Sequence, residues 1–396
     1  MPNPDFSVQF LLSNNLPGSV TRIVADTASV LARQGVPVTV LFPAVDWWDY
    51  HLFCLSRMRG LRRWKHAARL GWRALTGILV RRRWCGLRHH TVHSAVRTRR
   101  FLLTPSARAW SRESVTVVHP PYVMPHLLRT LPPHRVAMVG AIHVNLERAM
   151  QSDSPEAAAW FAHWVAGERL LSMARYTTSR ESQAAVERLG IPIRAMIPNG
   201  IDLRLFRPAG MRPGGPLIIT LYCDPTVQKG RDVGVEALRV VKAEAPDVRL
   251  RSLGLVTQEQ ARLFDENLGY LHGEAYAEAL RSSDLFVYPS RYDGFPAPPL
   301  QAMASGAALV TTAVAGVNEY ASHGENALVC PPGDAAALRE QVLRLVRDPA
   351  LRERLQRNGP QTAAAFSVEQ TTARLLEFLS EVYEEQRSGV TAMVPA

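Results

Sequence analysis

Short apolar runs alternate with helical patterns from the beginning of the chain. The run SVQFLLSN is followed by a turn at Pro17-Gly18 and then by VPVTVLFP. Between the two runs, apolar residues recur at helical spacing and the pattern stops at Gly35, a residue type common just past a helix end. The apolar positions are Val20, Ile23, Val24, Ala28 and Leu31. A helix that joins two consecutive strands predicts a βαβ unit with parallel strands.

The alternation continues through two sets of elements. Further strands of the first set are predicted at 114–121, 135–144, 174–180 and 193–200, with a helix at 181–189. A Pro/Gly-rich stretch, 207–216, follows. Strands of the second set are predicted at 217–222, 248–254, 268–273, 284–290, 307–312 and 326–331, before helix-rich sequence from 334 to 386. The pattern predicts two doubly wound α/β domains, whose ligands bind beyond the carboxyl ends of strands.

Length and composition agree with this division. A chain of 396 residues is long for one hydrophobic core. Its four cysteines are scattered, with no spacing typical of a metal site, which favours reduced thiols in a cytosol. The first residues lack the basic region of a signal peptide. We therefore expect a cytoplasmic protein.

The basic charge is concentrated in one segment. The net charge is +11, and residues 50–112 contain 16 arginines and lysines but no acidic residue. Within 57–83, Trp64 and Trp72 fall near one helical face with leucines, and arginines occupy the others. This pattern suits an interfacial helix on an anionic membrane, such as the inner face of the plasma membrane. A packed helix with a solvated basic rim stays open, whereas no nucleic-acid-binding motif accompanies the charge.

Several loop motifs carry the candidate chemistry. DGFPAPPLQAMASG contains Asp293 and Gln301 at either end of a proline-rich turn. The other motifs are IPNGIDLRLFRP (197–208), QKGRDVGVEAL (228–238), AGVNEYASHGENALVCPPGD (315–334) and PGSVTRIVADTASVLARQGVPVTV near the start. Taken singly, each is weak: Asp293 is also typical of a turn, and Gln301 of a helix surface.

Together these motifs resemble the retaining glycosyltransferases of family 4 (group 1), especially bacterial polysaccharide and rhamnosyl-type transferases. That family has a Glu-x7-Glu motif, in which Asp293 and Gln301 stand here for the two acids. The resemblance implies the GT-B fold, two Rossmann-like domains facing across a cleft. It implies an acceptor-binding domain at 1–206, a linker at 207–216, a nucleotide-sugar-binding domain at 217–366, and helices at 367–396 that return to the N-terminal domain.

The resemblance also implies site residues. The catalytic candidates are His143, Lys229 and Asp293. The donor-binding candidates are Gly18, Asn199, Gly200, Lys229, Arg291, Gly294, Phe295, Gln301, Gly316, Val317 and Glu319. Lys229 and backbone amides after Ala315 would bind the diphosphate, and Gln301 the ribose. The family's arginine six residues before the lysine is Cys223 here, and Arg291 and Arg231 are the candidates to replace its charge.

The implied reaction moves a sugar from a UDP-, GDP- or dTDP-linked donor to a hydroxyl of a glycan or lipid-linked glycan, with retention. The sequence contains no Asp-x-Asp, so we expect neither a metal nor another cofactor. Two other functions stay open. A non-catalytic GT-B protein acting as a binding or scaffold partner would explain Cys223 and Gln301, and a GT-B epimerase is the other.

Overall fold

The computed structural model describes residues 4–12, 19–43, 94–101, 113–119, 137–142, 173–208 and 214–388, together with 159, 162, 165 and 166. The basic helix expected within 57–83 lies outside these residues. None of the helices in the described ranges is both long and apolar enough to cross a membrane.

The chain forms two compact units. The first comprises Met1–Thr178, Ser182–Ile197 and Thr371–Ala396, and the second comprises Ser179–Glu181 and Pro198–Gln370. The second unit thus begins ahead of the linker expected at 207–216. Packing explains the difference, because Ile201 forms a parallel bridge with Ser367 and Phe206 lies in the second unit's core.

The first unit contains a parallel sheet in the order β3-β2-β1-β4-β5-β6-β7. Its described strands are β1 Ser7–Leu12, β2 Val38–Pro43, β3 Arg97–Phe101, β4 Ser114–His119, β5 Ala137–Ile142, β6 Ala174–Thr177 and β7 Ala195–Met196. Its described helices include α1 Ser19–Arg33 and, from Ser182 onward, α2 Arg180–Arg188. Strand β3 was not anticipated, because RTRRF is dominated by arginine. Charged side chains suit its place at a sheet edge, where they discourage pairing with another chain.

The second unit contains a parallel sheet in the order β10-β9-β8-β11-β12-β13. Its strands are β8 Ile218–Cys223, β9 Arg249–Gly254, β10 Glu266–Asn267, β11 Leu285–Tyr288, β12 Ala308–Thr312 and β13 Ala327–Cys330. Its helices are α3 Arg231–Glu244, α4 Gln258–Ala261, α5 Gly273–Arg281, α6 Ala297–Ala304, α7 Ala335–Arg347 and α8 Pro349–Ala364, with short 3-10 helices at Val227–Lys229 and Val317–Glu319.

One strand of the second set was predicted in the wrong place. The strand expected at 268–273 is instead the two-residue β10, which precedes it. Gly269 has a φ of 65°, a conformation foreign to a strand, and Gly273 already begins α5. The remaining five strands of this set lie where the apolar runs predicted them.

A final helix, α9 (Val368–Arg387), packs into the first unit from Thr371 onward. Its apolar side chains lie in one core cluster with residues of β1, β2, β4 and β5. Phe378 packs edge-on against Tyr176, with ring centroids 6.2 Å apart, and Tyr383 contacts Phe6 at 4.7 Å. The first unit is therefore built from discontinuous parts of the sequence.

The order of the second sheet indicates where ligands bind. From β8 the chain moves outward to β9 and β10, then returns to β11 on the other side of β8 and continues to β12 and β13. In doubly wound folds, the crevice at such a switch point receives the ligand. A ligand of the second unit is therefore expected at the loops after β8 and β11.

Candidate functional site

Lys229 and Asp293 meet at the switch point of the second sheet. Lys229 ends the 3-10 helix that follows β8, and Asp293 lies in the loop after β11. The Lys229 ammonium forms an ion pair with Asp293, and both side chains are partly buried. The Lys229 Nζ also lies 3.3 Å from the hydroxyl of Tyr288. The two residues expected to act on the donor are thus in direct contact.

Tyr288 completes this cluster and was not anticipated. It is the last residue of β11, is fully buried, and donates a hydrogen bond of 2.6 Å to Asp293 Oδ2. Burial, reinforced by the negative charge of Asp293, holds the pKa of Tyr288 well above its ordinary value, so the hydroxyl stays a donor. A tyrosine ending a strand five residues before a candidate carboxylate was the signal that could have found it.

The loops after β8 and β11 are fastened to each other by backbone contacts. Arg291 N donates to Gln228 O at 2.7 Å, and the Ser290 hydroxyl donates to the same carbonyl at 3.0 Å. Gly230, between Lys229 and α3, has a φ of 66°, and a Cβ there would lie 1.9 Å from Pro289 O. Only glycine fits such a close approach. This packing fixes Lys229 against the Asp293 loop.

Arg291 forms an ion pair with Asp232. Its guanidinium donates to both carboxylate oxygens of Asp232 at 2.6 Å and to Val227 O at 3.0 Å. The hydrogen bonds from Arg291 lower the pKa of Asp232. The positive charge that was expected to compensate for Cys223 is therefore already matched by a carboxylate.

Asn199 and Phe295 form a second part of the site. The buried Asn199 donates from Nδ2 to Phe295 O at 3.1 Å. The Phe295 ring packs against Tyr320 and Phe366, which anchors the loop. Gly200 is half-buried beside Asn199, and Gly294 is buried beside Phe295. Asparagine thus joins the turn at 199–200 to the Asp293 loop.

Gln301 lies in α6, which has Pro298 and Pro299 in its first turn, as the sequence predicted. The surface interpretation of Gln301 was wrong, because only 5% of the residue is exposed. A side-chain amide can both donate a hydrogen bond to a ligand hydroxyl and accept one from it. Gln301 is therefore a candidate ligand-binding group.

Two backbone N–H groups after Ala315 donate to carbonyl groups of the second unit. Gly316 N donates to Asp293 O at 3.3 Å, and Val317 N donates to Val314 O at 2.9 Å. A Cβ on Gly316 would lie 2.2 Å from Phe295 Cα, so this glycine permits close backbone packing. Val317 is fully buried in the core. In this structure the segment shapes the Asp293 loop, and these two amides are already bonded.

Glu319 also has a partner within the second unit. Its carboxylate accepts hydrogen bonds from the backbone N of Arg180 at 2.7 Å and from Arg180 Nη1 at 3.1 Å. Only 7% of the Glu319 side chain is exposed. The first contact is a hydrogen bond from a backbone N–H, and the second is an ion pair with the guanidinium.

Cys223 ends β8 where the resemblance expects an arginine. Its side chain is buried, and burial raises the pKa of this thiol to about 12. A neutral thiol supplies no charge to a phosphate. Nearby, Arg231 begins α3 and donates from Nη1 to Leu255 O at 2.9 Å.

Two catalytic or binding candidates, His143 and Gly18, lie outside the described residues. Across the ranges that the structure covers, no group of three or more histidine, cysteine or acidic side chains is arranged to hold a metal ion.

Exposed apolar side chains gather at the same end of the second sheet. Val227 follows β8, Leu255 follows β9 and Tyr270 follows β10, on three neighbouring strands. They are exposed by 76%, 46% and 54%, and they are the large apolar residues so exposed among those described. Together they offer an apolar surface beside the cationic groups.

The second unit matches a known family model. Residues 212–362 match the model described as glycosyl transferases group 1. Among curated proteins, glycogen synthase from Mycobacterium tuberculosis is 29% identical over 195 residues, which are 46% of this chain and 47% of that protein. The chain thus spans about half the length of the curated relatives it matches.

Solved structures extend the likeness to the whole fold. Sucrose-phosphate synthase from Thermosynechococcus elongatus matches with a TM-score of 0.69 and 20% identity, over 96% of this chain and 99% of that one. Anabaena Alr3699/HepE, solved in complex with UDP, matches with a TM-score of 0.68 and 16% identity, over 95% and 100%. The chain therefore has the GT-B fold of two parallel-sheet, Rossmann-like domains, and its residues 212–362 are similar to the glycosyl transferases of group 1.

Proposed function

We propose that this protein transfers a sugar from a nucleotide-diphosphate sugar to a hydroxyl of a glycan or lipid-linked glycan. The observation that carries the proposal is the meeting of Lys229, Asp293 and Tyr288 at the switch point of the second sheet. The buried residue Gln301 follows in α6 of the same unit. These groups lie within the segment that matches the group 1 model.

The chemistry follows from the charges. The bond between the anomeric carbon and the phosphate oxygen breaks, and its electron pair stays on the departing diphosphate. Lys229 stabilises that negative charge. The acceptor oxygen bonds to the same face of the anomeric carbon, and its proton passes to the departing phosphate. This path gives retention and needs neither a metal nor a protein nucleophile.

The remaining groups position the donor. Asp293 and the backbone of Gly294 and Phe295 bind sugar hydroxyls, and Gln301 binds the ribose. The apolar surface of Leu255 and Tyr270 suits a nucleobase, since an aromatic ring can stack on a base. His143 near the reacting centre and Gly18 near the phosphates complete the proposed set.

Transfer measurements test the proposal. Wild type and Lys229→Gln are incubated with UDP-, GDP- and dTDP-linked sugars and lipid-linked glycan acceptors, with and without anionic liposomes and with EDTA. Transfer by wild type in EDTA, with Lys229→Gln reduced about 100-fold or more, is expected because one charged group at a developing charge commonly contributes that much. Product of inverted configuration contradicts retention, and activity that depends on added metal contradicts the metal-independent path.

Gln301 also indicates which nucleotide the donor carries. The weaker hydroxyl-binding capacity of Gln301 compared with a carboxylate suits the deoxyribose of a dTDP donor, such as dTDP-rhamnose. UDP binding equal to or tighter than dTDP binding contradicts this preference.

We place the reaction in bacterial cell-surface polysaccharide synthesis, with the protein on the inner face of the plasma membrane. A protein that does not sediment with the anionic liposomes contradicts membrane association.

A second candidate is a non-catalytic binding protein of the same fold. It is favoured by one observation, the neutral Cys223 where the resemblance expects a cation. Transfer and hydrolysis assays distinguish the two functions. A non-catalytic protein binds nucleotide sugars but neither transfers nor hydrolyses the sugar of any donor.

A further inference from the structure

Three cationic side chains follow the central strands of the second sheet, and they differ in their partners. Lys229 is paired with Asp293, and Arg291 is paired with both oxygens of Asp232. Arg231 donates to a backbone carbonyl, that of Leu255, at 2.9 Å. Of these three cations, it alone has no carboxylate within ion-pair distance among the described residues.

This difference matters for a negatively charged ligand. A guanidinium paired with a carboxylate has little net attraction for an anion, and breaking the pair costs energy. A guanidinium that donates to a neutral carbonyl keeps its full positive charge and has four further N–H groups. Arg231 is therefore the cation of the three whose charge is available without breaking an ion pair.

The position of Arg231 agrees with this role. Leu255 immediately follows β9, and Leu255 N donates to Cys223 O at 2.9 Å, so Arg231 reaches the carboxyl ends of β8 and β9. Its charge acts on the Cys223 thiol, opposing the rise in the pKa of Cys223 that burial causes. The apolar side chains of Leu255 and Tyr270 lie at the same sheet edge.

We propose that Arg231 binds the diphosphate of the donor, supplying from the start of α3 the positive charge that Cys223 lacks at the end of β8. The inference rests on the proposed function and adds to it the residue that distinguishes a nucleoside diphosphate from a nucleoside. In this proposal Lys229 binds the phosphate attached to the sugar, whereas Arg231 binds the phosphate attached to the nucleoside.

The test compares two arginines on one helix. Arg231→Gln removes the proposed contact. Arg239→Gln removes the same charge from an exposed side chain about 12 Å further along α3. Calorimetry gives the Kd of UDP, GDP and dTDP and of their nucleosides at low and high salt. Arg231→Gln is expected to weaken diphosphate binding about ten- to a hundredfold, as loss of a charge-assisted hydrogen bond does, with nucleoside binding unchanged and a smaller salt dependence.

The outcomes separate this inference from the function on which it rests. Arg239→Gln is expected to stay within about twofold of wild type, since exposed charges at that distance are largely screened. Wild-type binding and transfer with no effect of Arg231→Gln overturns only the role of Arg231. An equal loss for nucleoside and diphosphate also overturns it, because the side chain then supports the base or the fold. Failure of wild type to bind any of the three diphosphates overturns both.

Discussion

The hydroxyl of Tyr288 donates to Asp293 Oδ2 across 2.6 Å, so a buried strand end fixes the carboxylate that also binds Lys229. Asp293 is one methylene shorter than the glutamate that the resemblance expects at this position. A short side chain has few rotamers, and two donors on one oxygen restrict it further. The arrangement therefore defines where a sugar hydroxyl meets the carboxylate.

Tyr288→Phe is expected to reduce catalysis without reducing nucleotide binding. The change removes one hydroxyl from a buried ring, and a hydrogen bond to a charged group contributes about 1.5–3 kcal/mol. We expect kcat/KM for the nucleotide sugar to fall about tenfold or more, while the Kd of the free nucleoside diphosphate stays within about twofold. Steady-state kinetics and calorimetry provide the two values.

Tyr320→Phe is the matched control for that change. The Tyr320 hydroxyl donates to Pro296 O at 3.1 Å, a neutral acceptor in the same loop, and the residue is similarly buried. A smaller loss of kcat/KM than for Tyr288→Phe is expected. Equal losses for the two variants would mean that Tyr288 supports the loop in general rather than the carboxylate.

Gly230→Ala is expected to lower the free energy of unfolding of the second unit by more than its positive φ alone would cost. A Cβ at residue 230 would lie 1.9 Å from Pro289 O, so the loops after β8 and β11 must separate. Gly269 has nearly the same φ, 65°, but a Cβ there meets nothing within 4 Å. Gly269→Ala should therefore cost only the conformational term, about 1 kcal/mol.

Denaturant unfolding of both variants measures the difference. The free energy of unfolding should fall clearly further for Gly230→Ala than for Gly269→Ala. Similar values for both would show that the two loops adjust to the added carbon and that their close packing is not required.

Phe378→Ala is expected to destabilise the first unit through α9. The ring packs edge-on with Tyr176, the Arg194 guanidinium lies 5.7 Å from its centroid, and removing a buried phenylalanine costs about 3–5 kcal/mol. Hydrogen exchange should rise in β1 and β4 and stay close to wild type in β8 and β11. Leu300→Ala, in the core of the second unit, should give the reverse pattern. Uniform acceleration in both variants would contradict separate cores.

Stability above neutral pH is expected to depend on Cys223. Burial raises the pKa of this thiol to about 12, so the folded protein keeps a proton that the unfolded chain loses from about pH 8.5. The contribution is complete below about pH 8.5 and declines as the pH rises toward 12. Between about pH 8 and about pH 10, the free energy of unfolding should fall more steeply for wild type than for Cys223→Ala. Parallel curves would show that the thiol ionises equally in both states.

The apolar runs predicted the fold because parallel strands buried on both faces are nearly continuous in hydrophobicity. They failed where another force decides the structure. The arginine-rich β3 forms by pairing with β2, and no apolar pattern announces it. At 268–273, two glycines with positive φ end the strand earlier than the apolar residues suggest.

The site was predictable in part for a similar reason. Short motifs identify loop residues that follow strands, and they brought Lys229 and Asp293 together correctly. They could not give the partners of those residues. The pairing of Arg291 with Asp232, the burial of Gln301 and the hydrogen bond of Tyr288 depend on side-chain directions that only packing determines.

The place of α9 has a consequence for biosynthesis. The core of the first unit needs apolar side chains from beyond residue 371, whereas the second unit is already encoded by residue 370. At about 5–20 residues per second, translation exposes the early strands for many seconds before that helix emerges. All residues of the second unit are therefore synthesised before the first unit has its last helix, and the early strands must wait, in reach of chaperones, until the residues beyond 371 emerge.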